Sequence, residues 1–392
     1  MKMKNFGLLS VLIVFLTVEG FAFTLSKEAQ ISLLTCSPGS ELYSLFGHTA
    51  IRITDPTARF DQVFNYGTFD FNTPHFYLKY AKGLLPYQLT ISPYPYFIAN
   101  YQEEKRSVYS QTLKLDSLQK QKMFDLLLEN YKPQNRSYLY NFLFDNCTTR
   151  SRDVLVNSLS DKIDWRTSDN GKSFWNLLDE YLQASPWVQW GIHTILGQRG
   201  NRTATTFQYM FLPDYLMWGL DSAYYNGQPL APEIETLYQA PQEKSTIQWY
   251  THPTFVFSCV VLFIIVLFQT ISSRRSLQFT AFLFFTFTGI LGCLIVFLGG
   301  FTAHPITAPN WNILWANPLN LLVVPFLFKR HLPHLLKFYL LLYTTIVFIG
   351  ILLWYFLMPA VPTATYSLML LMIYLSLKII HTNKEKNTFS VL

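Results

Sequence analysis

The sequence predicts an α+β extracytoplasmic domain followed by an α-helical transmembrane bundle of about five spans. Half of the 392 residues are hydrophobic, 17% are aromatic and only 14% are charged. Ordinary soluble chains carry about a quarter charged residues, so a large share of this one belongs in lipid. The N-terminus has the three-part build of a signal peptide, and from Thr254 onward long apolar runs alternate with short charged loops. The net charge of +6 sits in clusters beside those runs. That points to membrane topology, and no basic patch interleaved with aromatics suggests nucleic acid.

Met1-Lys2-Met3-Lys4 is followed by an apolar run from Phe6 to about Val18 and by Gly20-Phe21-Ala22. A basic start, a short apolar core and small residues before the cut predict a signal peptide over 1–22, cleaved after Ala22. No cysteine follows the cut directly, so the chain is not itself expected to be a lipoprotein. The next unit, 23–250, is mixed in character. Ile31–Thr35, Thr49–Thr54 and Gln62–Tyr66 read as short strands separated by Pro-Gly and Asp-Pro turns. Asp116 or Ser117 caps a helix running to about Tyr131, with Leu118, Phe124, Leu127, Leu128 and Tyr131 as its apolar stripe and Pro133 past its end. A second helix starts at Asn146 and buries Val154, Leu155 and Leu159; Phe174–Leu182 reads as a third.

The last unit, 251–392, carries spans near 254–271, 278–298, 313–328, 338–358 and 363–380. Asn317, Pro318 and Asn320 weaken the third, which is expected to be tilted, broken or re-entrant. A cleaved signal puts the first domain outside, so the first span runs inward. The loops that then face the cytoplasm hold Arg274 and Arg275, then Lys329, Arg330 and Lys337, and the tail holds Lys378, Lys384 and Lys386. The opposite loops, 299–312 and 359–362, hold no Lys or Arg. Positive residues on the inner side at every connection predict an odd number of spans and a cytoplasmic C-terminus.

Two segments carry candidate chemistry. In Phe46-Gly47-His48-Thr49-Ala50-Ile51-Arg52-Ile53 the glycine permits a tight entry and the histidine opens an alternating strand, with His48 and Arg52 on one face and Ile51 and Ile53 on the other. In Phe144-Asp145-Asn146-Cys147-Thr148-Thr149-Arg150, Asn146 is a good N-cap and Cys147 falls in the first helical turn. Free amides and the positive end of the helix dipole favour a thiolate there, and amides near Asn146 and Thr148 can stabilise an oxyanion or simply cap the helix. A histidine within reach would take the thiol proton and return it to a leaving group. Singly, a buried cysteine is more often packing and a histidine more often a satisfied polar residue; together, in an exported domain, they point to a Cys–His nucleophile. The four cysteines show no metal-like spacing, and no nucleotide motif appears, so no metal and no cofactor are expected.

His48 precedes Cys147 by 99 residues. That order resembles the circularly permuted papain-like group (NlpC/LRAT-like), in which a strand-borne histidine comes first and a helix-borne Asn-Cys segment closes the site. Leu34-Thr35-Cys36-Ser37-Pro38-Gly39, the Gly47-His48 strand, Asn65-Tyr66-Gly67-Thr68-Phe69-Asp70, Asp145-Asn146-Cys147 and Met210-Phe211-Leu212-Pro213-Asp214-Tyr215 resemble the Lnb N-terminal periplasmic domain. His304-Pro305, Asn310-Trp311-Asn312 and Asn317-Pro318-Leu319 look like the membrane half that accompanies it. The resemblance implies a lipoprotein N-acyltransferase of the bacterial inner membrane. Its acyl donor would be a phospholipid and its acceptor the α-amine of a diacylated lipoprotein, with Cys147 as nucleophile and His48 as base.

The supporting residues are open to two readings each. Asn65 or Asp70 orients His48, or Asn65 and Tyr66 only make a turn. Arg52 binds a phosphate headgroup, or is an ordinary salt-bridge partner. His304, Asn310, Asn312 and Asn317 hold a headgroup or the lipoprotein N-terminus, or belong to interfacial anchoring around Trp311. Cys36 pairs with Cys147, or packs near the first strand. The competing functions are an exported Cys–His cell-wall amidase or peptidase and a non-catalytic membrane assembly or binding protein.

Overall fold

A computed structural model describes residues 23–168, 170–241, 248–270, 273–329, 331–357 and 364–388. The expected signal peptide lies outside the described residues.

The N-terminal half is built on a seven-stranded antiparallel sheet. Gln30–Cys36 (β1) pairs with His48–Asp55 (β2), and β2 with Phe60–Thr68 (β3). Ile31, Leu33, Ile51, Ile53 and Phe64 bury one face, while Leu34, Cys36, Ala50 and Val63 bury the other. A sheet covered on both faces explains why β1 reads as an almost continuous apolar run. After the short helix Phe76–Lys82 (α1), Pro86–Pro93 (β4) pairs with β3; Tyr94–Glu103 (α2) then covers the second face with Phe97 and Tyr101. Val108–Thr112 (β5) joins β1 on its free side.

Ser117–Tyr131 (α3) starts in a capping box between Asp116 and Gln119. Its buried residues are Met123, Phe124 and Leu127. Leu118, expected in the apolar stripe, is 83% exposed: it sits in the first turn, before the helix reaches the sheet. Ser137–Leu139 (β6) edges the sheet beside β4, and Cys147–Ser158 (α4) packs on α3, β2 and β3. Phe174–Leu182 (α5), Pro186–Ile195 (α6), Thr206–Tyr209 (α7) and Pro213–Asp221 (α8) follow. The hairpin Tyr224–Tyr225 (β7) and Gln228–Pro229 (β8) leads to Glu235–Tyr238 (β9), which closes the sheet beyond β5. The strand order is β6-β4-β3-β2-β1-β5-β9.

In the C-terminal region Pro253–Thr270 (α9), Arg274–Gly300 (α10), His334–Leu357 and Ala364–Thr388 are long and apolar enough to cross a membrane. Four such helices occur among the described residues, not five. In place of the expected span over 313–328 there is a 3₁₀ turn at Trp311–Leu314, one turn of helix at Asn320–Val323 (α11) and another 3₁₀ turn at Val324–Phe326. Pro318 and Pro325 lack the amide hydrogen that a continuous helix needs. The two later long helices are α12 (His334–Leu357) and α13 (Ala364–Thr388), and α13 touches α9, α10 and α12.

The broken segment runs antiparallel along the whole of α10. Ala308 lies against Gly299, the Ala316 carbonyl against Gly292 and Leu321 against Gly289. Gln278 Nε2 donates to Leu327 O at 2.7 Å, and Arg274 to Lys329 O at 3.1 Å. At Gly292 a side chain would collide with the opposing backbone. Freed polar groups are met from inside: buried Asn320 donates to Thr288 Oγ1 at 2.9 Å and accepts from Tyr339 at 2.7 Å, and Tyr343 donates to Trp315 O at 2.6 Å. Irregular backbone in an apolar bundle persists only where it is satisfied in this way.

The loop between α10 and this segment joins the two halves. Asn310 Nδ2 donates to Thr194 O at 2.9 Å, and Asn312 Nδ2 to the carbonyls of His193 and Thr194, which end α6. Gly197 N donates to Ile306 O and Gln198 N to Pro309 O, both at 2.7 Å. Trp175 of α5 is buried in the same apolar cluster as the membrane helices.

Candidate active site

Cys147 is the first residue of α4, and its position is fixed by Asn146. The Asn146 Oδ1 accepts the amides of Thr148 and Thr149 at 2.9 and 2.8 Å, while Thr149 Oγ1 takes the Asn146 amide. The other end of the same side chain donates to Phe142 O and Phe211 O. Asn146 is therefore fully engaged as a cap and a tie to the 211 loop, with nothing left to offer an oxyanion. As the first residue of α4, Cys147 has no acceptor for its amide inside the helix, so the first turn points a donor out beside the sulfur.

His48 opens β2, and Asn65 lies on the adjacent strand β3. The His48 Nε2 meets Asn65 Oδ1 at 2.6 Å. A carbonyl oxygen only accepts, so Nε2 carries the hydrogen and Nδ1 is the nitrogen left for the thiol. The imidazole and the Cys147 thiol are close enough for each to shift the other's charge state. Burial alone would lower the histidine's pKa; the neighbouring Cys147 charge and the Asn65 oxygen outweigh it, and the net direction is up. Burial alone would raise the cysteine's; the His48 charge and hydrogen bond, the Thr49 amide and the Thr148 hydroxyl bring it down to about 7. Each shift favours the thiolate–imidazolium pair. Thr148 Oγ1 lies 3.8 Å from the sulfur and 3.1 Å from Thr49 Oγ1, tying the helix start to β2.

Gly67 closes the other side. It has φ +86°, and a Cβ built there would sit 3.4 Å from the Cys147 Cβ and 3.9 Å from the Tyr138 hydroxyl. A side chain at this position would be strained as well as crowded. The Tyr138 hydroxyl is buried without a partner, under an Arg150 guanidinium stacked 3.5 Å over its ring. The sequence reading missed Tyr138, because a tyrosine in Tyr138-Leu139-Tyr140 looks like any residue of an edge strand. An unpartnered donor that faces Gly67, as the cysteine does, is visible only in three dimensions.

The remaining sequence candidates lie elsewhere. Asp70 is exposed and accepts from the amide and side chain of Asn72 at 2.8 and 3.0 Å, a local turn that leaves it no part in orienting His48. Arg52 is held by Asp61 through two 2.8 Å bonds and lies 3.4 Å over the Tyr94 ring. Its guanidinium serves this salt bridge rather than an open headgroup site. Asn310 and Asn312 are buried with their amides spent on α6 carbonyls, and Asn317 Oδ1 accepts the Leu319 amide at 3.0 Å. His304 packs on Gly83 and interacts with Ala81 O at 3.2 Å. None of these six converges on Cys147. Cys36 is cross-strand from His48 and wholly buried; both Cys36 and Cys147 are free thiols. Burial pushes the Cys36 thiol up to about 12. Among the described residues no three His, Cys, Asp or Glu side chains gather as a metal site.

A thiolate at a helix start, a base held by a third polar group and free donors alongside can attack a carbonyl carbon and stabilise the resulting oxyanion. Residues 23–180 match the Lnb N-terminal periplasmic domain, and residues 243–387 match the Lnb transmembrane domain. No curated protein matches the chain, and no solved structure does. The first match contains His48, Asn65 and Cys147, the second the helical region, and together they span most of the sequence: the protein belongs to the Lnb family.

Proposed function

We propose that this Lnb-family membrane protein is a lipoprotein N-acyltransferase acting through a Cys147 thioester. The observation that carries the reading is the Cys147–His48–Asn65 arrangement in a periplasmic domain bonded directly to the outer loop of the membrane region. The order of histidine and cysteine supports a circularly permuted papain-like site. The charge pattern of the loops supports an inner-membrane protein with a cytoplasmic C-terminus, the broken segment along α10 making a fifth crossing.

In the first half-reaction the Cys147 sulfur bonds to the carbonyl carbon of a phospholipid acyl ester. The Cys147 amide and the Tyr138 hydroxyl are the donors for the oxyanion. The ester C–O bond breaks, and the departing lysophospholipid oxygen takes the proton held on His48. In the second half-reaction the α-amine of the lipoprotein's N-terminal diacylglyceryl-cysteine attacks the thioester carbonyl. His48 Nδ1 accepts the amine proton and the sulfur leaves as thiolate, so phospholipid plus amine becomes lysophospholipid plus amide. Water must be kept from the thioester, or the enzyme is a phospholipase; the 6% exposure of Cys147 suits that need.

The test is mass spectrometry of a reporter lipoprotein's N-terminal peptide in a host lacking its own N-acyltransferase. Wild type adds a third acyl chain, and Cys147→Ser and His48→Ala do not. A peptide left diacylated by well-expressed wild type refutes the reaction, and altered muropeptides in its place would favour a wall hydrolase.

A further inference from the structure

We infer that residues 69–84 form a lip seated in the lipid–water interface, over which outer-leaflet phospholipid reaches Cys147. The acyl-delivery part rests on the function proposed above; the seating does not.

The α1 helix buries none of its residues. Tyr77 is 80% exposed, Phe71 69%, and Leu78 and Tyr80 52% each. So much contiguous aromatic and aliphatic surface is not left to water without a partner. The occupant follows from where the segment is fastened. Ala303 N donates to Lys82 O at 2.9 Å, His304 reaches Ala81 O, and the His304 ring lies on Gly83. Ala303 is three residues past the end of α10, so the last turn of α1 is within about 10 Å of a membrane helix end. Phe301, at that same end, is 71% exposed. Beside it an apolar groove of about 390 Å³, lined by Cys293, Val296, Phe297, Phe301 and Pro318, opens on α10, suited to an acyl chain. Tyrosines with apolar neighbours are interfacial residues, and Lys79 and Lys82 on the same helix suit lipid phosphates.

The lip also leads inward. Phe69 meets Tyr87 at 5.2 Å between ring centroids, and Tyr87 stacks on Tyr140 at 4.4 Å. Tyr140 in turn borders Gly67, which also faces Cys147. The rings thus make a continuous apolar path from the exposed segment to the thiol.

Two measurements on the full-length protein in phosphatidylethanolamine–phosphatidylglycerol vesicles test this. First, Tyr77→Trp adds an emission that is read as the difference from wild type. With lipids brominated near the carbonyl end, the added emission is expected to fall at least about twofold. Emission untouched by bromolipid yet quenched by aqueous iodide overturns the seat, whatever the enzyme does. Second, in the double variant Tyr77→Asp and Leu78→Asp, acylation of Cys147 by vesicle phospholipid should drop about tenfold, as expected when interfacial apolar burial is lost. Its alkylation by iodoacetamide should keep the wild-type rate, which shows an intact site. Undiminished acylation overturns the delivery role. If even wild-type Cys147 takes no acyl chain, it is the acyl-transfer reading that fails, and delivery falls with it; the quenching result still decides the seat.

Discussion

Replacing Asn65 with alanine removes the acceptor that His48 Nε2 meets at 2.6 Å. The bond matters most when the imidazole is charged, since a hydrogen bond to a charged group contributes about 1.5–3 kcal/mol against about 1 for a neutral pair. The charged state is also the one that holds Cys147 as thiolate. The difference between the two states, about 0.5–2 kcal/mol at about 1.4 kcal/mol per decade, corresponds to a roughly 2- to 30-fold fall in thiolate reactivity at neutral pH. The direction is set by the two shifts. Without Asn65 the imidazolium is less favoured, so the histidine's pKa falls and the cysteine's rises. In the wild type, alkylation by iodoacetamide should climb as pH rises through about 7; in Asn65→Ala that climb moves to higher pH. The assay is mass spectrometry of the Cys147 peptide from protein in nanodiscs, because the exposed Cys259 and Cys293 would confuse a bulk thiol count. Asn65→Asp is the control: a carboxylate still accepts from Nε2 and favours the imidazolium further, so reactivity should persist. A wild-type rate and pH profile in Asn65→Ala, with His48→Ala slow, would refute the orienting role.

Two further substitutions probe the frame. Asn146→Ala removes a helix cap and leaves one buried and one half-buried carbonyl without this donor, a loss of about 2–5 kcal/mol; the periplasmic half should melt earlier and Cys147 should alkylate more slowly, and an unchanged melting profile would contradict the capping argument. Phe124→Ala, at a fully packed position, should destabilise by about 3–5 kcal/mol, whereas Leu118→Ser, on the water side of the same helix, should stay within about 0.5 kcal/mol of wild type by thermal unfolding.

What could be read from the sequence follows from which interactions are local. The three central strands are legible because alternation and turn residues are local signals, and α3 and α4 because Asp116 and Asn146 announce their own first turns. Strands β4, β5, β6 and β9 carry no such signal. They lie toward the sheet's margins, and pairing with distant segments makes them strands. The same division runs through the site. Cys147 and His48 stand out by residue type and context, and Asn65 by its neighbouring strand. Asp70 shares that stretch of sequence but turns outward, since the chain has left β3 by then. Asn310 and Asn312 look like lipid ligands as a polar cluster beside a tryptophan. Their partners are α6 carbonyls more than a hundred residues away, which no window of sequence displays. The broken third segment was foreshadowed by Asn317 and Pro318, but its run along α10 depends on glycines in another helix.

The loop that ties α6 and α1 to the membrane half makes the boundary between the two halves a poor place to cut. A fragment ending near residue 241 would keep every strand of the sheet and all three residues of the proposed site. It would also bare Trp175, Trp190 and Leu196, which pack on the membrane cluster, and strip the α6 carbonyls of their asparagine donors. Such a piece should aggregate or need detergent despite its ordinary composition. The two family segments are thus separate in sequence but share one interior, and whatever alters the outer loop acts directly on α1 and α6.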